Sequence, residues 1–247
     1  YEFNQGATTR KSWFDCSCCP TNVVRFLPAM PGLIYSKTED EVYVNLYASS
    51  EAKVNLAKNN LIITQKTNYP WNGDVQINVF AEAEEKFNIK MRIPGWAKNE
   101  VLPGGLYDYV NDMTGNVEVY LDGKKEVVNS LDGYITLSGE KIEGKTIALK
   151  FPMNVRVVET SLQVAENRGK EALEYGPIVY AIEEIDNKSN FDAITIPSND
   201  DFKVQMEQNL LGGVNTIFNG NLKAIPYYAW SNRGTGKMKV WIAKENQ

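Results

Sequence analysis

The sequence predicts an all-β fold, two β-sandwich-like domains behind a short helical opening, and three observations carry that expectation. Short segments alternate apolar and polar residues with period two, as half-buried antiparallel strands do. Gly, Pro, Asn and Asp turn signals separate those segments at short spacing. A helix-like stretch with its own start and stop signals occurs only near the beginning. With 247 residues the chain can bury one large core or two ordinary ones, and two is the favoured count. Hydrophobic residues make up 43%, the level of a globular protein rather than a disordered one.

Residues 1–31 differ from the rest. Pro20-Thr21-Asn22-Val23-Val24-Arg25-Phe26-Leu27 reads as a short helix. Cys19 takes the cap position, and Pro20 the first helical position, where a missing N–H costs no bond; Pro28 marks the stop. Pro28-Ala29-Met30-Pro31-Gly32 then signals a boundary. From Leu33 onward strand-like segments follow one another. Glu41–Tyr47, Lys53–Ala57, Val75–Phe80 and Lys86–Ile93 all alternate, separated by turns such as Trp71-Asn72-Gly73-Asp74 and Pro94-Gly95. Val117–Leu121, Tyr134–Leu137, Thr146–Phe151 and Val155–Val158 continue the pattern, with Asp122-Gly123 as a hairpin signal. Pro152-Met153 is a candidate joint. Beyond it, Ala172–Glu184, Ala193–Ile196, Phe202–Met206 and Lys237–Ile242 suffice for a second β unit. The expected domains are therefore 1–31, 32–153 and 154–247.

Asp and Glu number 31 against 26 Lys and Arg, and no basic run stands out, so the charge footprint of a nucleic-acid binder is missing. No apolar stretch approaches the roughly 20 residues that cross a bilayer as a helix. The chain opens Tyr-Glu-Phe-Asn without Met or a leader pattern, which reads as a cut or processed product. Its compartment, bacterial cytoplasm or periplasm, therefore stays open. There is no histidine, so the commonest general base and the commonest metal ligand are both absent from this chain.

All three cysteines lie in Cys16-Ser17-Cys18-Cys19. With no partner elsewhere, a disulfide framework is excluded, while a strained or intermolecular disulfide is not. A helix N-terminus carries unpaired N–H groups and partial positive charge, which stabilise a thiolate, the form that acts as nucleophile and as zinc ligand. Structural zinc wants four ligands, and this cluster offers two or three. A papain-like thiol protease is disfavoured, because no histidine exists to pair with the thiol. From the residues alone, packing, metal binding and nucleophile chemistry all remain open.

Trp13-Phe14-Asp15-Cys16-Ser17-Cys18-Cys19-Pro20-Thr21-Asn22 resembles the Cys-Cys-Pro-x-Asn segment of glycoside hydrolase family 127, the β-L-arabinofuranosidase-like enzymes. Four further landmarks follow in order: Arg92-Ile93-Pro94-Gly95-Trp96, Phe151-Pro152-Met153, Tyr175–Tyr180, and Ile225-Pro226-Tyr227-Tyr228-Ala229-Trp230-Ser231-Asn232-Arg233-Gly234. The resemblance implies that residues 1–31 are the end of a catalytic α/α barrel of six helical hairpins and that two sandwiches follow. By position, Cys18 matches the family's thiolate nucleophile and zinc ligand, and Cys19 a second zinc ligand; Cys16 is given no role. The remaining zinc ligands, the acid/base glutamate and the substrate-binding histidines would lie upstream. The implied partner is an L-arabinofuranose-containing glycan, with zinc as cofactor of the intact enzyme.

Other residues have blander readings. Trp71, Trp96, Trp230 and Trp241 suit a sugar platform, but aromatic side chains more often fill sandwich cores. Glu82, Glu84 and Glu85, and the pair Glu183-Glu184, are expected to be solvated carboxylates at strand ends. Arg233 is expected to hold a loop rather than a substrate. A competing reading makes the sandwiches a non-catalytic module that binds carbohydrate, docks a barrel or joins a homodimer. A redox or metal-handling protein is a weaker third.

Overall fold

The computed structural model describes residues 10, 18–187, 191–199 and 201–245. It is all-β apart from a short helical part, and it divides into two compact units. One unit gathers α1 (Cys18–Ala29) and the chain as far as Lys98, together with Gly115–Pro152; the other gathers Asn99–Thr114 and the chain from Met153 on, with Arg10 from its start.

The first unit holds two sheets. In one, Tyr35–Lys37, Glu41–Val44, Asn88–Arg92, Tyr134–Ser138 and Ser130–Leu131 lie side by side; in the other the order is Ser50–Asn55, Asn60–Thr67, Asp74–Ala81, Thr146–Lys150, Glu118–Leu121 and Lys124–Glu126. Pairing is antiparallel except where Glu41–Val44 runs parallel to Asn88–Arg92, with Val42 opposite Ile89. Alternate residues point inward. Val42, Val44, Ile89, Met91, Ile135 and Leu137 from one sheet meet Leu61, Ile63, Val75, Ile77, Val119 and Leu149 from the other in a single core. This is the sandwich arrangement that period-two patterning requires. Polar contacts cross it at Tyr35, whose Oη accepts from Gln65 Nε2 at 2.8 Å and lies 3.1 Å from Ser50 Oγ. Tyr47, Tyr69, Trp96 and Phe151 close one part of that core, and Trp96 Nε1 donates to Tyr69 Oη at 3.2 Å.

The second unit is built on a long sheet in the order Thr195–Ile196, Ile242–Lys244, Lys170–Tyr175, Ile178–Glu183, Leu222–Pro226, Val214–Asn219, Lys203–Glu207. Central strands are apolar on both faces. Tyr180, Ile182 and Ala224 join one cluster, while Ala181 and Ile225 join another on the opposite face. Such strands read as continuous apolar runs, which is why Ala172–Glu184 shows little alternation; the Gly176-Pro177 turn splits it into two strands.

Asn99–Thr114 lies inside the expected span 32–153 but packs with the second unit. Tyr107–Tyr109 pairs with Val155–Thr160, placing Val158 opposite Tyr109. Arg156 locks this excursion in place. Only 3% exposed, it stacks its guanidinium 3.8 Å from the Tyr109 ring centroid and donates to Asn99 Oδ1 and the Asn111 carbonyl. Beneath it Tyr109 Oη donates to Glu174 Oε2 at 2.8 Å. Burial raises the Glu174 carboxyl above its ordinary range, against the lowering effect of the Tyr109 hydroxyl and of Arg156.

The opening helix differs from expectation at both ends. It begins at Cys18, so Pro20 is third in the first turn, where the N–H has no intrahelical partner in any case. Pro28 lies inside the last turn, one residue before the end, and Met30 N still donates to the Phe26 and Leu27 carbonyls. Among the described residues, no helix is long and apolar enough to cross a membrane.

Candidate functional site

Cys18 and Cys19 open α1, both exposed and unbridged, with their sulfurs 3.7 Å apart. The residues after them hold the first turn. Thr21 Oγ1 donates to the Cys18 carbonyl at 3.0 Å and Asn22 Nδ2 to the same oxygen at 3.2 Å, while Arg25 Nη2 donates to Asn22 Oδ1 at 2.6 Å. The Thr-Asn pair after the proline therefore fixes the backbone that carries Cys18. Cys16 lies outside the described residues.

The two sulfurs meet the first requirement of a metal centre. With Zn–S distances of about 2.3 Å, two thiolates on one tetrahedral zinc stand about 3.8 Å apart. The observed separation fits two corners of that tetrahedron. Among the described residues, no group of three or more Cys, Asp or Glu side chains gathers to supply the other corners. The two sulfurs would fill two of the four positions that a tetrahedral ion requires.

The rest of α1 is open to solvent. Val23, Val24, Phe26 and Leu27 are all exposed, Val24 at 67% and Phe26 at 56%, and no residue of the helix is buried. Helices of this length are marginal in water, and most of their stability comes from burying an apolar face. Met30 and Leu33 extend the uncovered surface.

Trp96 packs on the core of the first unit and Trp230 is buried in the second, while Trp241 stacks on Tyr107 with ring centroids 6.1 Å apart. These three serve packing, and Trp71 is exposed. Glu82, Glu84 and Glu85 are exposed as expected, Glu82 accepting from Asn60 Nδ2.

Glu183 corrects the expectation of a solvated carboxylate: it is only 6% exposed. Its Oε1 accepts the Ser231 N–H at 2.6 Å and its Oε2 meets Arg233 Nη2 at 2.5 Å. Arg233 also pairs with Asp186, whose Oδ1 accepts from Arg233 Nη1 at 3.0 Å and from Lys223 Nζ at 3.1 Å. Burial alone would lower the Arg233 guanidinium; Asp186 and Glu183 outweigh it and hold the group above its ordinary value. The network fixes a loop. Ser231 stands at φ +61°, a left-handed conformation costing a non-glycine residue roughly 1–3 kcal/mol. Asn232 Nδ2 donates back to the Ala229 carbonyl at 2.9 Å. Arg10 then closes on that loop, Nε donating to the Trp230 carbonyl at 2.9 Å and Nη2 to the Tyr228 carbonyl at 3.1 Å. Sequence reasoning missed Arg10, since no local pattern announces a contact more than 200 residues away.

Comparison with known proteins places this geometry in a family. Residues 41–153 match the family model described as the β-L-arabinofuranosidase, GH127 middle domain, and residues 155–243 match the glycoside hydrolase family 127 C-terminal domain. A non-reducing end β-L-arabinofuranosidase of Bifidobacterium longum subsp. longum is 27% identical over 269 residues, covering 94% of this chain and 38% of the relative. A solved family 127 β-arabinofuranosidase superposes with a TM-score of 0.87 at 36% identity, over 96% of this chain and 40% of its own. The family 127 β-L-arabinofuranosidase Ara127N of Geobacillus stearothermophilus T6 gives 0.81 at 33% identity, over 96% and 39%. The chain thus spans about two fifths of the length of these relatives. With residues 41–153 and 155–243 matched to the middle and C-terminal domains of one family, the chain belongs to glycoside hydrolase family 127.

Proposed function

We propose that this chain is the C-terminal part of a retaining glycosidase acting on β-L-arabinofuranosides, and that Cys18 is its nucleophile. The observation that carries the proposal is the pair of exposed thiols at the start of α1, held by Thr21 and Asn22 with sulfurs 3.7 Å apart. The family of the chain and the printed activities of its relatives supply the substrate class.

In the first step the Cys18 thiolate attacks the anomeric carbon. A C–S bond forms, the bond to the leaving oxygen breaks, and a carboxylic acid from the remainder of the protein gives that oxygen its proton. In the second step the same carboxylate takes a proton from water, the water oxygen bonds to the anomeric carbon, and Cys18 leaves as thiolate. Two displacements retain configuration. Cys18 and Cys19 would hold zinc, which when bound keeps a thiol deprotonated at neutral pH and fixes its direction.

The uncovered face of α1 and the half-complete ligand set support a division of labour. This chain supplies the nucleophile and two ligands, while the acid/base group and the other ligands come from the rest of a longer protein. Alone, the chain turns over no substrate. Zinc content and hydrolysis of an aryl β-L-arabinofuranoside, measured on this chain and on the full-length protein, test the reading. Stoichiometric zinc and turnover in the full-length protein alone agree with it; turnover by the isolated chain contradicts the division of labour.

A further inference from the structure

Lys203–Glu207 closes one end of the long sheet in the second unit, and we infer that two copies of the protein join there, pairing antiparallel across a two-fold axis into one continuous sheet. The joint is independent of the glycosidase reading, and failure of either leaves the other standing.

The two ends of that sheet differ. At one end Thr195–Ile196 is a strand of two residues, too short to template another chain. At the other, Lys203–Glu207 is a five-residue strand with four of its residues exposed. It pairs inward with Val214–Asn219 in an unbroken register, from Lys203 opposite Phe218 to Glu207 opposite Val214, so no bulge twists the edge away. On that inner side the Gln205 carbonyl also accepts from Thr216 Oγ1 at 2.9 Å. Among the described residues, the outer edge pairs with no other strand. Such an edge offers its backbone donors and acceptors to a further strand.

The residues on it select which strand. Lys203-Val204-Gln205-Met206-Glu207 is self-complementary when two copies run antiparallel about Gln205. Lys203 then faces Glu207 of the second copy, and Val204 faces Met206, each pair occurring twice as a two-fold axis requires. Parallel pairing would set Lys against Lys and Glu against Glu, which repels. A slip of one residue would set Lys203 against Met206. The two faces of the joint are equally matched. Val204 stands opposite Ile217, which is buried in one cluster with Tyr180, Ile182 and Ala224. Val204 and Met206, 36% and 46% exposed, carry that apolar face beyond the edge, and two copies would bring four such side chains together. On the other face Glu207 already meets Lys223 at 2.7 Å; Lys223 keeps Asp186 at 3.1 Å when a second cation reaches Glu207. Five residues a side make a small contact, so the association is expected to be reversible and concentration-dependent.

The test uses the full-length protein in sedimentation velocity at low ionic strength, where surface charge pairs are least screened. Deuterium exchange of a peptide covering 203–207 is followed over the same concentrations. Wild type should dimerise as concentration rises, with exchange in that peptide slowing in step. Lys203→Glu and Glu207→Lys each set like charges face to face and should raise the dimer dissociation constant by about tenfold or more. An equimolar mixture of the two variants sets opposite charges together again and should return to within about threefold of wild type. A variant that had merely lost its fold gives no such recovery. A protein monomeric at every concentration, a dimer indifferent to both variants, or a loss that mixing leaves unrepaired overturns the inference. So does slow exchange at 203–207 that is the same at every concentration, because another part of the same protein would then cover the edge.

Discussion

The sulfurs of Cys18 and Cys19, neighbours in sequence at the start of α1, stand 3.7 Å apart in hydrogen-bonding contact and form no disulfide. Adjacent cysteines bridge only with strain, whereas this spacing suits two ligands on one tetrahedral ion. In the full-length protein Cys19→Ser is expected to weaken zinc binding by more than about a hundredfold, beyond the cost of altering a residue that merely orients a ligand. Competition with a chromophoric chelator measures it. Unaltered affinity would remove Cys19 from the ligand set.

Phe26 gives a second prediction. At 56% exposure it has little to lose in this chain, so Phe26→Asp should change the stability of the isolated chain by no more than about 0.5 kcal/mol. In the full-length protein the same change should cost several kcal/mol, because burying an unpaired charge is expensive. Denaturant unfolding of both forms makes the comparison. Equal small effects would mean that nothing covers α1.

Glu183 and Glu85 are both acidic residues near strand ends, yet they should behave oppositely. Glu183→Ala leaves the Arg233 guanidinium and the Ser231 N–H without that carboxylate, an expected loss of about 3–5 kcal/mol. Glu85→Ala, at an exposed position, should stay within about 0.5 kcal/mol. Urea unfolding distinguishes them, and similar values would refute the structural role given to Glu183.

Glu174 sets a pH dependence. Burial raises its folded-state pKa, so the folded chain holds the proton more tightly than the unfolded one. Its contribution is fully present below the unfolded value of about pH 4 and is lost as pH rises through the folded value. Glu174→Gln keeps an acceptor for Tyr109 and removes that loss. The melting temperature of the variant should match wild type near pH 4 and exceed it increasingly toward pH 7. A flat or reversed difference would contradict the burial argument.

Much of the first unit was legible because its two sheets each hide one face. Val75 and Ile77 point to the core while Gln76 points away, and the sequence alternates accordingly. Asn60–Thr67 was harder to read: Leu61-Ile62-Ile63 is a continuous apolar run, and Gln65 fills a core-facing position that its bonds to Tyr35 and the Leu46 carbonyl explain. In the second unit Val214–Asn219 and Leu222–Pro226 are apolar on both faces, so period two fades although Asn219-Gly220 marks their turn. Cys18 and Cys19 stood out by composition alone. Arg10 and Glu183 did not, because their roles depend on partners 48 to 220 positions away.

Covalent trapping at Cys18 tests the central claim most directly. The full-length enzyme would be incubated with a slowly hydrolysed, activated β-L-arabinofuranoside, quenched, digested and analysed by mass spectrometry. A pentosyl adduct on the peptide carrying Cys18, absent in Cys18→Ser, is the predicted result. A pentosyl adduct on a carboxylate instead, or turnover that survives in Cys18→Ser, would contradict the account.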